Sequence, residues 1–573
     1  MKRSLTIVVL LCALLPLRAQ NATVEVSRPY DVNLDGIRKP AIPTAVDDSL
    51  QRFDVHFDYS IFNRPYKDLY DFTPYESIQL ATVGANRTPF VYTRIGAQYA
   101  PREKGIMPAG EIYLQTKPKN GFCSGLYGLH NSYFGQLDPK GENPLKARKM
   151  QNTIGGDITY DWATGEMMLD VKYDADRYRH KQLEAGLPTA EHANNDVTVS
   201  FNLNSAQKEA NTVYYDVTMG YRNTWKDFSI TNAEGYDLRL DNASIGESLI
   251  SVKGYVGASF DKHRIYVDMN IQHAGYRGVR DFSAGVVEFS PFYQLEIKRL
   301  RARLGVKFGS RYGQEGEIPV EDADLSPRSS IFPDIDARYT LVDKTLWVHT
   351  QLTGGNDLNA FSRMVDDCPI VYPGSRMEFG RRPLDATLSL ESVLFGRLGL
   401  NLEGNYRITR NKMIFVPLED GVGMTQMTAL YRDVNQYSVQ AEVFWKSQDL
   451  TVGGRARYAY YYDPDDKSRV TEMPRWTGNF FLRYNFRERI IAQLECNYRG
   501  ATSGEVASYT AYDVRSFYYV PSILDVDLNV NYLINNHFSV FAKAGNLLNR
   551  RNQYIPLYVE PGINFGGGVC LNF

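Results

Sequence analysis

The chain has 573 residues, of which 43% are hydrophobic, with a formal net charge of -2 and a mean hydropathy of -0.37. Near-neutrality argues against a nucleic-acid binder, which would carry a basic face, and past the first twenty residues no apolar run is long enough to cross a bilayer as a helix. Strands escape that test because alternating polar and apolar residues cancel in any average; 40 tyrosines and 45 glycines suit a wall with aromatic girdles, bends and tight turns.

Met1-Lys2-Arg3 is a basic opening, Ser4 to Pro16 holds an apolar stretch, and Arg18-Ala19-Gln20 offers a small residue for cleavage. Residues 1–19 are therefore expected to be a signal peptide cut after Ala19. A membrane anchor would need ~20 apolar residues, and the stretch falls short. Cys12 follows Leu10 and Leu11, where a lipidation site would carry small residues. In residues 20–90, Pro29, Pro40, Pro43, Pro65 and Pro74 interrupt the chain, and only Phe53 to Tyr59 alternates clearly. This segment, too short for an ordinary plug and too aromatic for a plain linker, is expected in the periplasm or the lumen.

From residue 91 to 573 the pattern changes to about 22 alternating segments, joined by turns of two to five residues and by longer polar loops. Examples are Val197 to Leu203 with Val213 to Tyr221, Val287 to Ile297 with Leu300 to Phe308, and Leu384 to Leu394 with Leu398 to Ile408. Tyr437 to Trp445 turns into Leu450 to Tyr460, and Phe480 to Phe486 into Ile490 to Tyr498. Leu524 to Tyr532 is the clearest case, with Leu, Val, Leu, Val and Tyr on one face and two Asp and two Asn on the other. No amphipathic helix has that period. The short-long rhythm predicts an all-β fold, a transmembrane antiparallel β-barrel with short periplasmic turns and long extracellular loops. Ala163-Thr164, Asp261-Lys262, Lys298-Arg299 and Arg487-Glu488-Arg489 should face the periplasm. Segments near 133–151, 224–247, 313–331, 354–382, 411–434 and 501–522 should face outward. A β-sandwich or propeller would also give many short strands, but neither predicts this rhythm.

At the C-terminus Phe565, Val569, Leu571 and Phe573 share one face against Gly566, Gly568, Cys570 and Asn572 on the other, as in a closing strand with lipid on one side. Val569, Leu571 and Phe573 are read as the signal for barrel-assembly machinery. Ahead of it, Ala544-Gly545-Asn546-Leu547-Leu548-Asn549 leads to Tyr554 and then to Pro561-Gly562-Ile563-Asn564-Phe565. This set resembles the last two strands of TonB-dependent receptors, and Ile331 to Ile335 with Gly354-Gly355-Asn356 resembles plug-less relatives of them. The resemblance implies a 22-strand wall in the outer membrane and passage of solutes across it. No room for a full plug or a coupling box precedes Val91, so energised uptake is not implied. The alternative is a non-conducting barrel serving as scaffold in an outer-membrane complex. Expected partners are outer-membrane lipids, the assembly machinery and a lipoprotein or other complex partner, with no nucleic acid.

The inward sets are polar. They include Arg301, Arg303, Glu403, Arg407, Glu442, Arg455, Arg457, Arg483, Glu495, Asp525 and Asp527. Such groups either set a transverse field in a conducting pore or pair across strands to hold the wall. Turn geometry places Glu296 opposite Arg301, Arg483 opposite Gln493, and Arg455 opposite Gln440 and diagonal to Glu442. Four bulky apolar residues near periplasmic turns, Phe444, Phe481, Ile491 and Phe541, point inward against the pattern. They either dock residues 20–90 or pack within the wall.

Enzyme signatures are missing: His56, His130, His180, His192, His263, His273, His349 and His537 are scattered, without His-Glu-x-x-His, Cys-x-x-Cys or Gly-x-Ser-x-Gly. The expectation is no catalysis, no cofactor and no metal. Glu321-Asp322-Ala323-Asp324 and Asp463-Pro464-Asp465-Asp466 offer hard oxygens that suit calcium, but solvated loop charge is the preferred account of both. Tyr458, Tyr460, Tyr461 and Tyr462 resemble an external girdle. Cys496 is expected toward lipid and Cys570 toward the lumen, so no bridge joins them.

Overall fold

The computed structural model describes residues 90–573 except 137–145, 182–188, 206–212, 232–236, 239–243, 261–262, 279–280, 314–328, 420–423, 488, 509–515 and 557. The expected signal peptide, the segment up to residue 89, the Asp261-Lys262 turn, Glu488 and the Glu321–Asp324 cluster lie outside the described residues.

Twenty-two long strands form the wall. They are β1 Val91–Ala100, β2 Gly105–Gln115, β3 Phe122–Gln136, β4 Lys146–Trp162, β5 Gly165–Lys181, β6 Thr189–Ser205 and β7 Val213–Thr231. Then come β8 Ser244–Phe260, β9 His263–Gly278, β10 Phe282–Ile297, β11 Leu300–Gly313, β12 Ser329–Val342, β13 Leu346–Leu358 and β14 Phe379–Leu394. The rest are β15 Leu398–Glu419, β16 Met424–Lys446, β17 Leu450–Tyr462, β18 Trp476–Phe486, β19 Ile490–Arg499, β20 Ile523–Leu533, β21 Phe538–Gly545 and β22 Asn564–Asn572. Each pairs antiparallel with the next, and β1 closes the cylinder on β22 from Tyr92↔Asn572 to Tyr99↔Phe565. Closure leaves no open edge, the condition for strands to cross hydrocarbon.

Burial along β20 is inverted relative to a soluble strand. Asp525, Asp527, Asn529 and Asn531 are 8%, 8%, 3% and 6% exposed, while Tyr532 between water and lipid is open at 41%. Elsewhere on the outer face Ile154 is 67% and Leu402 52% exposed. Such a belt would aggregate in water and is matched only by lipid. Phe122, Tyr160, Phe260 and Phe486 ring the short-turn end, and Tyr99, Tyr437, Tyr498 and Phe565 the other.

At the periplasmic rim Ala163-Thr164 and Lys298-Arg299 close β4 to β5 and β10 to β11 as expected. Phe395 and Gly396 both adopt left-handed backbone, φ 53° and 64°, in the three-residue turn between β14 and β15, which matches the turn to strand twist. The register predictions hold for Glu296↔Arg301 and Arg483↔Gln493. They fail between β16 and β17, where Arg455 lies directly opposite Glu442 and Gln440 opposite Arg457. The reason is local: Ser447 N–H bonds Leu450 O at 2.7 Å, so Gln448-Asp449 alone makes the turn and the ladder slides by two.

The outer rim departs further from expectation. Strands run through much of the segments expected as loops near 133–151, 224–247 and 411–434, because their ladders continue: Gln136 pairs with Lys146, Asp227 with Ser244 and Leu418 with Gln426. Residues 354–382 do not project outward either. They turn back into the barrel and carry its one α-helix among the described residues, α1, Phe361–Asp367.

Candidate functional site

A solvated loop would not place Phe361, Met364, Val365, Cys368, Ile370 and Val371 within eleven residues. All six are buried inside the barrel mouth with Tyr178, Ile245, Tyr276 and Val286 of the wall, Phe415 and Met427 of the β15–β16 hairpin, and Ile555 and Tyr558 of the β21–β22 connection. A second apolar core thus spans the lumen. We refer to residues 359–378 as the strap.

Polar groups fix the strap on two sides. The Glu247 carboxylate accepts from Phe361 N at 2.5 Å and Ser362 N at 3.2 Å, meeting the free amides at the start of α1. Asp366 takes both terminal nitrogens of Arg222 at 2.7 and 2.8 Å, while Arg222 Nε binds Asp196 at 2.9 Å. The wholly buried Lys226 donates to Asn194 Oδ1 and to Pro369 O, each at 2.6 Å. On the far side Met427 N bonds Ile370 O at 3.1 Å and Tyr372 N bonds Met427 O at 2.7 Å. Burial pushes the Cys368 thiol well above its usual range, so it stays an inert apolar filler.

The β15–β16 hairpin tip is covered on both faces, Ile414 through Leu418 being nearly inaccessible. Ala507-Ser508 runs parallel to Leu418-Glu419, and Val416 packs on Tyr518 and Val520. This explains why the alternation fades there.

The β21–β22 connection is stitched by the residues that carry the family resemblance. Asn546 N donates to Asp527 at 2.9 Å, Asn546 Nδ2 to Arg550 O and Pro561 O, and Ile563 N to Asn549 Oδ1 at 3.1 Å. Asn546 and Asn549 take left-handed backbone, φ 45° and 51°, which asparagine tolerates best after glycine. Tyr554 OH donates to Asp525 at 3.2 Å, and Arg499 binds Tyr554 O. Asp525 and Asp527 therefore seat this connection at the outer rim. Glu560 is buried there, and burial raises its carboxyl while Lys149 opposes the shift.

Several of the other inward charges pair across strands. Arg303 holds Asp334 at 2.6 Å and also Asp268, with Phe292 beneath it at 3.7 Å. Arg407 binds Asp385 at 2.8 Å, Arg455 binds Glu442 at 3.2 Å, and Glu495 accepts from Gln493 at 2.7 Å. Glu403 lies between Ser389 and Gln440, Arg457 between Gln440 and Thr477, Arg483 between Thr451 and Gln493, and Arg301 between Glu296 and Arg338. Of the four bulky inward residues, Phe444 lies over Gly399, Phe481 over Gly453 and Phe541 over Gly96 and Gly568, while Ile491 is buried. Val569 and Phe573 face outward, and Phe573 O caps β1 through Phe90 N and Val91 N. Leu571 lies between Phe538 and Thr93.

Tyr458, Tyr460 and Tyr462 form the outer girdle with Tyr437 and Trp476, but Tyr461 turns inward onto Ile414 and Val434, as a period of two requires. Asp463 and Asp466 accept from Asp465 N and Ser468 N, each at 2.8 Å, so they cap their own loop. No metal-binding cluster occurs among the described residues.

No protein-family model matches the sequence, and no curated protein matches it. Solved structures do match. The FrpB iron transporter from Neisseria meningitidis gives a TM-score of 0.61 at 9% identity, covering 85% of this chain and 82% of that one. The copper transporter OprC gives 0.59 at 11% identity over 85% and 81%, and the siderophore receptor PirA from Acinetobacter baumannii 0.60 at 11% over 86% and 81%. The chain has the barrel fold of outer-membrane transporters. Its C-terminal likeness to TonB-dependent receptors is thus matched by architecture, and the apolar belt assigns the barrel to the outer membrane.

The strap's latch, formed by Arg222, Lys226 and Glu247, escaped the sequence reading because its partners lie over a hundred residues away. The apolar density of residues 361–371 is the signal that could have found it.

Proposed function

We propose that this protein carries solutes across the outer membrane through a lumen gated at its outer mouth by the strap and its neighbouring loops. The observation that carries this reading is a polar, ion-paired inner wall running beneath an apolar roof made of the chain's own connections. Charge of both signs along the height of the lumen gives a passing solute a field to be sorted by. The structural neighbours, an iron transporter, a copper transporter and a siderophore receptor, favour metal ions or their chelates as cargo. Residues 20–90 would then occupy the periplasmic half of the lumen.

Planar-bilayer recording of the mature chain and of a variant with residues 360–377 replaced by a short Gly-Ser turn tests this. We expect rare openings from the first and a steady ohmic current from the second. Silence from both, also after removal of residues 21–85, would sink transport. It would favour the second reading, a fixed scaffold barrel, which the continuous apolar roof also suits.

A further inference from the structure

The outer surface carries a pocket that neither the lumen nor transport explains. It measures 310 Å³ and lies at the extracellular rim over β17 to β19, lined by Arg469, Arg475, Trp476, Tyr498, Thr502 and Tyr519 among others. Its place relative to the bilayer follows from the strands: Trp476 opens β18 and Tyr498 lies near the end of β19, both on the lipid-facing side and 51% and 41% exposed. The short hairpin Thr502–Glu505 with Phe517–Val520 stands above them and turns Tyr519, 68% exposed, toward the same space. The pocket therefore sits where outer-leaflet headgroups meet water.

Its charge is one-sided. No carboxylate is among the described lining residues, and among the described residues neither Arg469 nor Arg475 has an ion-pair partner. Arg475 leans on the Tyr460 ring at 5.9 Å, and its buried Nε lacks a hydrogen bond. Burial first, then the charge of Arg475, lowers the Arg469 guanidinium from its ordinary value, so the two cations stand close enough to repel. Guanidinium forks match phosphate oxygens, and flat aromatic faces beside them suit sugar rings.

We propose that this pocket binds the phosphorylated sugar headgroup of an outer-leaflet glycolipid, with Arg469 and Arg475 on the phosphate and Trp476, Tyr498 and Tyr519 on the sugar. Free phosphate would share the arginines but leave the aromatics and the membrane-level position unused.

The test is native mass spectrometry of the full chain in detergent with diphosphoryl lipid A, its dephosphorylated counterpart and inorganic phosphate as probes. We expect retention of diphosphoryl lipid A, at least tenfold weaker retention by the R469A/R475A variant and by wild type with the dephosphorylated lipid, and no displacement by equimolar inorganic phosphate. Heat-modifiable migration on gels confirms that the variant barrel is folded; should it not fold, Arg475→Gln alone is expected to weaken retention severalfold. Equal retention by the folded variant, equal retention of the dephosphorylated lipid, or displacement by inorganic phosphate would each overturn the proposal.

Discussion

The lower and upper halves of this barrel obey different packing rules. In the lower half each strand has one face on lipid and one on the lumen, so Leu402 is open to hydrocarbon while Glu403 beside it faces Ser389 and Gln440. In the upper half a third layer fills the cylinder, and residues on both faces of β15, Phe415 and Val416 alike, are buried. Wall and roof are therefore separate structural units: the wall is held by its ladder and by lipid, the roof by an apolar core enclosed within it. Damage to one should leave the other largely intact.

The largest effect should come from the roof. Phe361 is wholly buried at the start of α1, and Phe361→Ala should cost about 3–5 kcal/mol of roof closure. The expected readout is a raised single-channel open probability with unchanged resistance of the wall to denaturant; a fall in wall stability of the same size would merge the two units into one. Conversely Leu402→Arg should cost about 2–4 kcal/mol of wall stability near the bilayer centre, read by refolding into vesicles. Open probability should stay where it was.

How much could be read from the chain follows the same division. The 22-strand wall was legible because lipid imposes a strict period of two, seen most plainly from Leu524 to Tyr532, and because tight turns leave short gaps. The roof was not, since its contacts pair residues far apart in sequence, such as Arg222 with Asp366 and Glu247 with Phe361, and no local period records them. Ion pairing along the wall lay between these cases. Glu296 opposite Arg301 followed from the turn, whereas the Arg455–Glu442 pair was displaced by a turn one hydrogen bond tighter than its length suggested.

Acidity should also separate the units. Glu560 is buried under the roof with its carboxyl raised by burial, so the protonated form is favoured in the seated loop. Its effect on loop seating is therefore most favourable below the ordinary glutamate range and is lost as pH rises through the raised value. Hydrogen exchange of residues 546–563 should quicken over that interval in the native chain and stay level in Glu560→Gln, with the wall strands unaffected in both. Exchange that slows with rising pH, after correction for intrinsic rates, would contradict the sign.

The smallest effect concerns the periplasmic end, where wall and N-terminal segment would meet. Phe444 has a glycine directly opposite it on each neighbouring strand, Gly399 and Gly453, and Phe481 covers Gly453 from the other side. The rings thus fill the space that two missing side chains leave and stiffen the wall by about 1 kcal/mol each. If that is their whole role, the loss from Phe444→Ala should be the same with and without residues 21–85, within about 0.5 kcal/mol. A coupling above that in a double-mutant cycle would assign Phe444 to docking of the N-terminal segment, and repeating the cycle at Phe481 and Phe541 would map how far the contact extends around the cylinder.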